Sequence, residues 1–328
     1  MPALKVHLLD SPDPAAMPAL RENLAEEVRL TNGPELPSPP DYHVLVAGRP
    51  DREQLQASPN LHTLVIPFAG VPDSTRQLLA EFPHIAVHNL HHNAAMTAEM
   101  AVALLLAAAK FIIPFDQALR RNDWSARYEH NPSLTLDGMT ALVLGFGQIG
   151  QRIAKACWAL DMEVLAVRRN PQPTGSLDFK VEVQGLEALD ELLERTHALL
   201  IALPATPETK DLIGANELSR MQAGGVLVNV GRGAIVDQAA LYTALKDGRL
   251  AAAGLDVWYN YPQDSAGRAN TPPAGYPFHE LENVVMSPHR AGASRESEAI
   301  RMAHLAALFN AAARGGPIPN QVDLQAGY

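Results

Sequence analysis

The sequence predicts an α/β protein built from two doubly wound parallel-sheet domains. Three observations carry that expectation. Short apolar runs of strand character alternate with amphipathic helical segments along the chain, and strands alternating with helices pair in parallel with helices on both faces. The length of 328 residues is roughly twice a typical domain. Near the middle, the run Thr140-Ala141-Leu142-Val143-Leu144 leads into Gly145-Phe146-Gly147-Gln148-Ile149-Gly150 and then into an Ala-rich helical stretch.

Residues 5–9 read as the first strand, and 15–30 as an amphipathic helix stopped before Gly33-Pro34. Further strands are expected at 42–47, 62–66 and 85–88, with helical or turn segments between them. Residues 94–119 form the longest helical stretch, carrying Met96, Met100, Leu104, Leu105 and Phe111 before Pro114 disturbs it. An apolar helix at a domain boundary suits a homodimer contact, and core burial explains the same residues equally well. The second series opens with the glycine-rich strand and continues with strands at 163–167, 198–202, 226–230, 251–255 and 284–286. Its helices are expected at 186–194, 216–221 and 238–246, and a last helix, 294–313, at packing back across the domain boundary. Residues 259–278 hold Pro262, Gly267, Pro272, Pro273, Gly275 and Pro277 and read as a long loop, of the kind that carries function or moves.

Composition narrows the function classes. A hydrophobic fraction of 47% and a charged fraction of 19% describe an ordinary globular chain with room for real cores. A net charge of −10 argues against nucleic acid or an anionic membrane as partner, since both need a basic face. The single cysteine, Cys157, excludes an internal disulfide and a Cys-based metal cluster. Its place in the helix after Gly150 reads as a buried thiol rather than a nucleophile. Pro2, Asp10, Pro12 and Pro14 interrupt any secretory apolar core. The run 100–109, closed by Glu99 and Lys110, is too short to span a bilayer, so a cytoplasmic setting is expected. His84, His88, His91 and His92 gather near one loop without acidic partners. No metal site is expected there; a place at the substrate mouth or a subunit contact is.

The glycine turn has a defined chemistry. Gly145 permits the tight turn, Gly147 lets backbone approach a pyrophosphate, and Gly150 lets helix and strand pack closely. The first helical amides, those of Gln148 and Ile149 among them, would face the phosphates where the helix dipole favours negative charge. Three other segments end strands with polar groups: Asn229-Val230-Gly231-Arg232-Gly233, Gly254-Leu255-Asp256-Val257-Trp258 and Ser287-Pro288-His289-Arg290-Ala291-Gly292. In a doubly wound sheet, ligands bind beyond the carboxyl ends of the strands, so these segments are expected in one crevice with the glycine turn.

With these segments, Leu203-Pro204-Ala205-Thr206-Pro207-Glu208-Thr209, the NVGRGAIVD run at 229–237 and Asn93-Ala94-Ala95-Met96-Thr97-Ala98-Glu99, the sequence resembles the D-isomer-specific 2-hydroxyacid dehydrogenase family over almost its whole length. The resemblance implies two Rossmann-like domains with the active site in the cleft between them. Residues 1–97, completed by 294–328, would be a flavodoxin-like substrate-binding domain, and 98–293 the dinucleotide-binding domain. It implies hydride transfer between nicotinamide C4 and a small 2-keto or 2-hydroxy acid, with a glyoxylate- or hydroxypyruvate-type reductase favoured. Arg232 matches the arginine that grips the substrate carboxylate and polarises the carbonyl, a task for which a planar guanidinium fork is suited. His289 matches the acid–base histidine, and Asp256 a carboxylate that orients the nicotinamide carboxamide. Leu203, Pro204, Thr209, Val230 and Gly231 fall where the family lines its cofactor. Ala69, Gly70 and Val71 match the loop whose amides bind the substrate carboxylate, and Asn93 lies at the substrate-side helix start.

Two departures from the family follow. Where a glutamate usually pairs with the histidine, just before a proline, this chain has Tyr261 before Pro262. A phenol can hydrogen-bond an imidazole but brings no negative charge to raise its pKa. Reduction is therefore expected to weaken as pH passes about 6 to 7, with Asp264, Glu280 or Glu282 as candidates to supply the charge. The same departure opens two alternatives, a formate-dehydrogenase-like enzyme and a dinucleotide-sensing protein without turnover. The second departure is Arg168-Arg169 at the end of strand 163–167, where NAD-specific members carry an aspartate. Paired arginines can neutralise a 2′-phosphate, so NADP is expected over NAD.

Overall fold

The computed structural model describes residues 3–10, 12–130, 132–171 and 177–324. They fall into two compact units, Met1–Asn93 with Ala293–Tyr328, and Ala94–Gly292. The expected domain boundary lay four residues later, after residue 97.

The first unit runs β1 (Leu4–Leu8), α1 (Met17–Glu22), β2 (Val28–Asn32), β3 (Val44–Val46), α2 (Arg52–Gln56), β4 (Thr63–Ile66), α3 (Asp73–Leu79) and β5 (Ala86–Asn89), and ends with the helix Ser297–Ala313. Its five strands lie in the order β2-β1-β3-β4-β5, all parallel. Strand side chains alternate between faces, and a parallel sheet buries both. Val6, Leu8, Val44 and Val46 pack with Met302, Leu305 and Phe309 of the last helix. Leu45, Leu64, Ile66 and Val87 pack with Leu55, Leu79 and Phe82 on the other face.

One expectation here is corrected. The helix expected over 15–30 ends at Glu22, and Val28–Asn32 is an edge strand paired with β1. The register of Val28 and Leu30 against Arg29 and Thr31 has a period of two, which suits a strand exposed along its rim. The last helix begins at Ser297 rather than at 294 and packs on α1 and β1.

The second unit opens with α4 (Ala94–Ala109) and α5 (Ile112–Arg120), followed by β6 (Thr140–Leu144), α6 (Gln148–Ala159), β7 (Glu163–Val167), β8 (Glu182–Gln184), α7 (Leu189–Arg195), β9 (Ala198–Ile201), α8 (Ala215–Arg220), β10 (Gly225–Asn229), α9 (Gln238–Lys246), β11 (Leu250–Leu255) and β12 (Val284–Met286). Seven parallel strands lie in the order β12-β11-β10-β9-β6-β7-β8. β6, β9 and β10 are buried at every residue. α4 is buried in this unit along Ala98, Ala101, Leu104, Leu105 and Ala108. Gly254 makes its approach to β11 feasible, because a Cβ there would lie 2.7 Å from Leu104 Cβ.

The continuous helix expected over 94–119 is broken. Phe111 takes a left-handed conformation, φ 52°, and the two halves bend by 66°. Pro114 does not cause the break: it sits in the first turn of α5, where an amide needs no helical acceptor. The polar edge strand β8 was not anticipated. Residues 259–278 do form an extended loop, folded back by Tyr259 N and Asn260 N, which both donate to Pro273 O at 3.1 and 2.9 Å. Among the described residues, no single helix is long and apolar enough to cross a membrane.

Candidate active site

In the second unit, chain order runs outward from β6 through β7 to β8 on one side, and from β9 through β10 and β11 to β12 on the other. The reversal between β6 and β9 opens a crevice at their carboxyl ends. The glycine turn lies there. Gly145 has φ 104°, a region that disfavours any side chain. A Cβ on Gly150 would stand 1.8 Å from Gly145 O, whereas one on Gly147 meets nothing within 4 Å. Gly147 is thus open above the turn while Gly150 is closed by it. Among the described residues, the amides of Gly147, Gln148 and Ile149 donate to no acceptor.

The neighbouring strand ends close around that turn. A Cβ on Gly231 would lie 2.6 Å from Leu203 O, so backbone meets backbone between the loops after β9 and β10. Val230 is buried and its amide donates to Ile201 O at 3.1 Å. Thr209 Oγ1 accepts from Thr206 N and donates to Pro204 O, both at 2.8 Å. Thr209 therefore shapes the 204–209 turn. At the end of β7, Arg168 is half-buried, and among the described residues its Nη1 is a buried donor without an acceptor. Arg169 is exposed, and its charge helps hold the Glu208 carboxyl below its ordinary range, behind a larger contribution from Thr206. The unsatisfied amides, the open face of Gly147 and the orphaned Arg168 donor fit a phosphorylated dinucleotide.

On the other side of the crevice, Arg232 follows β10 in extended conformation, exposed, with Nη1 donating to Gly231 O at 2.7 Å. Its turn is held by Asn229, 2% exposed, whose Nδ2 donates to Arg232 O and whose Oδ1 accepts from Gly231 N, at 2.9 and 3.0 Å. His289 follows β12 at φ 56°, a left-handed conformation that costs a non-glycine residue. Burial pushes His289 below the ordinary histidine value, the Arg232 charge pushes the same way, and Asp256 opposes both. Its outer edge stays open to solvent.

Two of the expected site side chains have their polar atoms engaged within the protein. Tyr261 lies against His289, ring centres 5.5 Å apart and inclined 55°, but its hydroxyl accepts from Trp258 N at 3.1 Å and makes no hydrogen bond to the imidazole. Burial pushes the phenol up, so it stays neutral. Asp256 is fully buried, with Oδ1 accepting from Ser287 Oγ at 2.5 Å and Arg290 N at 2.8 Å, and Oδ2 from Ala291 N at 3.0 Å. Asp264, Glu280 and Glu282 do not figure among the charges acting on His289.

In the first unit, Ala69, Gly70 and Val71 lie between β4 and α3. Buried Asn89, at the end of β5, donates from Nδ2 to Ala69 O at 2.6 Å. Among the described residues, the amides of Ala69, Gly70 and Val71 have no acceptor, and Asn93 Oδ1 is buried without a donor. His88 is committed to Pro319 O at 2.9 Å. His92 is pushed down to about 4, by burial first and then by Arg301 and His304. Among the described residues, no group of three or more His, Cys, Asp or Glu could hold a metal ion. Sequence reasoning gave no role to Asn89, Asn229 or Ser287. Their signal is a polar residue closing an apolar strand, which does not by itself name the acceptor.

Residues 102–291 match the family described as D-isomer specific 2-hydroxyacid dehydrogenase, NAD binding domain. The chain is 34% identical over 288 residues to a D-3-phosphoglycerate dehydrogenase of Archaeoglobus fulgidus, covering 87% of this chain and 52% of that protein. It is 38% identical over 230 residues to a glyoxylate reductase of Korarchaeum cryptofilum, covering 68% of this chain and 64% of that one. It therefore spans between about half and two thirds of these curated relatives. A crystal structure of a D-isomer specific 2-hydroxyacid dehydrogenase from Xanthobacter autotrophicus Py2, in complex with NADPH and MES, matches with a TM-score of 0.80 at 26% identity, with 100% of both chains covered. With the glycine turn, the Arg232 turn and the His289 turn gathered at the strand ends of one matching domain, the chain belongs to the D-isomer specific 2-hydroxyacid dehydrogenases.

Proposed function

We propose that the protein is an NAD(P)-dependent oxidoreductase acting on a small 2-keto or 2-hydroxy acid, favouring reduction of glyoxylate- or hydroxypyruvate-like substrates. The observation that carries this reading is that Arg232 and His289 stand at the ends of β10 and β12 of the sheet that carries the glycine turn, with the Arg232 charge lowering the imidazole. The Gly145 to Gly150 turn, with Arg168, would hold a nicotinamide dinucleotide, which would supply the hydride. Arg232 binds the substrate carboxylate and draws charge onto the carbonyl oxygen. Protonated His289 gives its ring proton to that oxygen as the alkoxide develops, and neutral His289 takes it back in the reverse direction. The unsatisfied amides of Ala69, Gly70 and Val71, with Asn93, are assigned to substrate binding. A glyoxylate reductase among the relatives supports the substrate class. The relatives named above favour this reading over the formate and sensor alternatives.

NADP is the preferred cofactor in this reading, on the unsatisfied Arg168 donor beside Arg169 and on the NADPH held by the Xanthobacter relative. Initial rates of loss of NADPH or NADH absorbance with a panel of small 2-keto acids test both points. Turnover of short keto acids is expected, with kcat/KM for NADPH at least about tenfold above NADH, the worth of one charge-assisted hydrogen bond. Binding of NADPH without turnover of any keto acid contradicts the reaction, and equal use of both cofactors contradicts the preference.

The exposed apolar side chains Ile112, Ile113, Leu119, Trp124 and Tyr128, on α5 and the segment just after it, are assigned to contact with a second copy of the chain, since exposed apolar groups of this size, when gathered together, mark interaction surfaces. A single-chain mass in solution contradicts that assignment. The lone thiol, Cys157, is buried and pushed up to about 12, and suits a cytoplasmic setting.

A further inference from the structure

We propose that Tyr261 is a positioning residue for the acid–base histidine and works through its ring, not its hydroxyl: the ring walls one side of the imidazole from bulk water and holds its orientation. The proposal rests on the reaction assigned above and deepens it.

The hydroxyl is committed elsewhere. It accepts from Trp258 N at 3.1 Å, which leaves the ring as the part of Tyr261 that meets His289. The two ring centres stand 5.5 Å apart, inclined 55°, within the range of packed aromatic pairs. Trp258 fastens both partners of this pair. Its amide holds the Tyr261 hydroxyl, and its indole Nε1 donates at 2.8 Å to the carbonyl of Ser287, two residues before His289. Trp258 is itself buried and packs edge-on against buried Phe278, ring centres 6.1 Å apart. Tyr261, by contrast, is 40% exposed. An aromatic residue pinned at its polar tip and left half in solvent adds little to a core. What its ring covers is the imidazole.

The charged and titratable groups facing His289 are Arg232 after β10, Asp256 after β11 and Tyr261 from the long loop. The Arg232 and Asp256 charges reach the phenol as well, so the ring stands inside the site and not at its margin. Burial is the largest influence on His289 and disfavours the imidazolium; Arg232 adds to it and Asp256 opposes it. The phenol stays neutral, so Tyr261 contributes cover, and cover disfavours the charged form. A histidine held this way gives up its proton below the ordinary value. Reduction, which consumes the imidazolium, then weakens from the acid side upward. Oxidation, which needs the neutral ring, runs through neutral pH.

The test compares Tyr261→Ala and Tyr261→Phe in the full chain, with the titration of His289 followed by NMR and its signal assigned through loss in His289→Gln. Tyr261→Ala admits water and is expected to move that titration up by about 0.5 pH or more. The alkaline limb of kcat/KM for keto-acid reduction should move up with it. The low-pH plateau of kcat should fall about tenfold, part of the hundredfold or more that a placed general acid supplies. Tyr261→Phe keeps the ring and is expected to leave the titration in place, with kcat within about threefold, since it loses one neutral hydrogen bond to the Trp258 amide. NADPH affinity should be retained in both. A loss of kcat in Tyr261→Phe as deep as in Tyr261→Ala overturns the proposal and assigns the work to the hydroxyl. An unmoved titration in Tyr261→Ala, or a matching fall in NADPH affinity, overturns it as well. Should Tyr261→Ala not fold, Tyr261→Phe decides alone: the ring predicts near-normal turnover and the hydroxyl its collapse. The titration reads without turnover, so a chain that reduces no keto acid sinks the assigned reaction and leaves the effect of the ring on His289 to be judged on its own.

Discussion

At the residue scale, electrostatics separates two histidines. His289 is lowered by burial and by Arg232, and one carboxylate, Asp256, opposes both. His92 is pushed down to about 4 by burial and by Arg301 and His304, and so stays neutral in the folded chain at neutral pH. Its unfolded counterpart titrates near 6.5, so between those values the unfolded chain binds more protons. Stability from this group is complete above the unfolded value and is lost as pH falls toward the folded one. Most of that loss falls between pH 6.5 and about 4. A denaturant midpoint followed from pH 7 to pH 4 should therefore fall less steeply in His92→Gln, and equal slopes refute the assignment. None of this is readable in the sequence. Cys157 was readable as an inert buried thiol because an apolar helix face surrounds it. The enclosure of Asp256 was not, because its three donors lie more than thirty positions away and no local pattern announces them.

At the element scale, the glycine turn was plain in the sequence because its constraint is local: strand, three glycines at fixed offsets, helix. The second and third of these glycines differ in kind. Gly150→Ala places a methyl on Gly145 O and is expected to cost about 3 kcal/mol or more, the upper range of overpacking. Gly147→Ala meets no protein atom and is expected to cost about 1 kcal/mol or less as a helix N-cap change. It should nevertheless raise KM for NADPH at least about tenfold, because the methyl fills space that a pyrophosphate would use. Thermal melts and initial rates on the two variants check this, and equal melting points or an unchanged KM for Gly147→Ala contradict it. Elements set by tertiary contact were harder to read. β2 was hidden inside a helix-like run because its edge position leaves one face wet. The break before α5 falls at Phe111, whose left-handed backbone has no sequence signature of its own, while the more conspicuous Pro114 sits harmlessly in a first turn.

At the scale of the whole molecule, two parallel sheets were foreseeable from alternation and length, while one strand of each, β2 and β8, was not. The three polar strand-end segments quoted from the sequence all lie in the second unit, at the ends of β10, β11 and β12, beside the glycine turn. That convergence follows from the strand order, which brings residues almost sixty positions apart to one edge. The central claim is that Arg232 and His289 act on one reacting carbon. It is tested most directly by kcat/KM for NADPH-dependent reduction of a small 2-keto acid by Arg232→Gln, measured beside NADPH affinity. The account predicts a loss of at least about a thousandfold, the scale of removing a charged donor from a developing oxyanion, with NADPH affinity unchanged. An Arg232→Gln enzyme that keeps wild-type kcat/KM contradicts it.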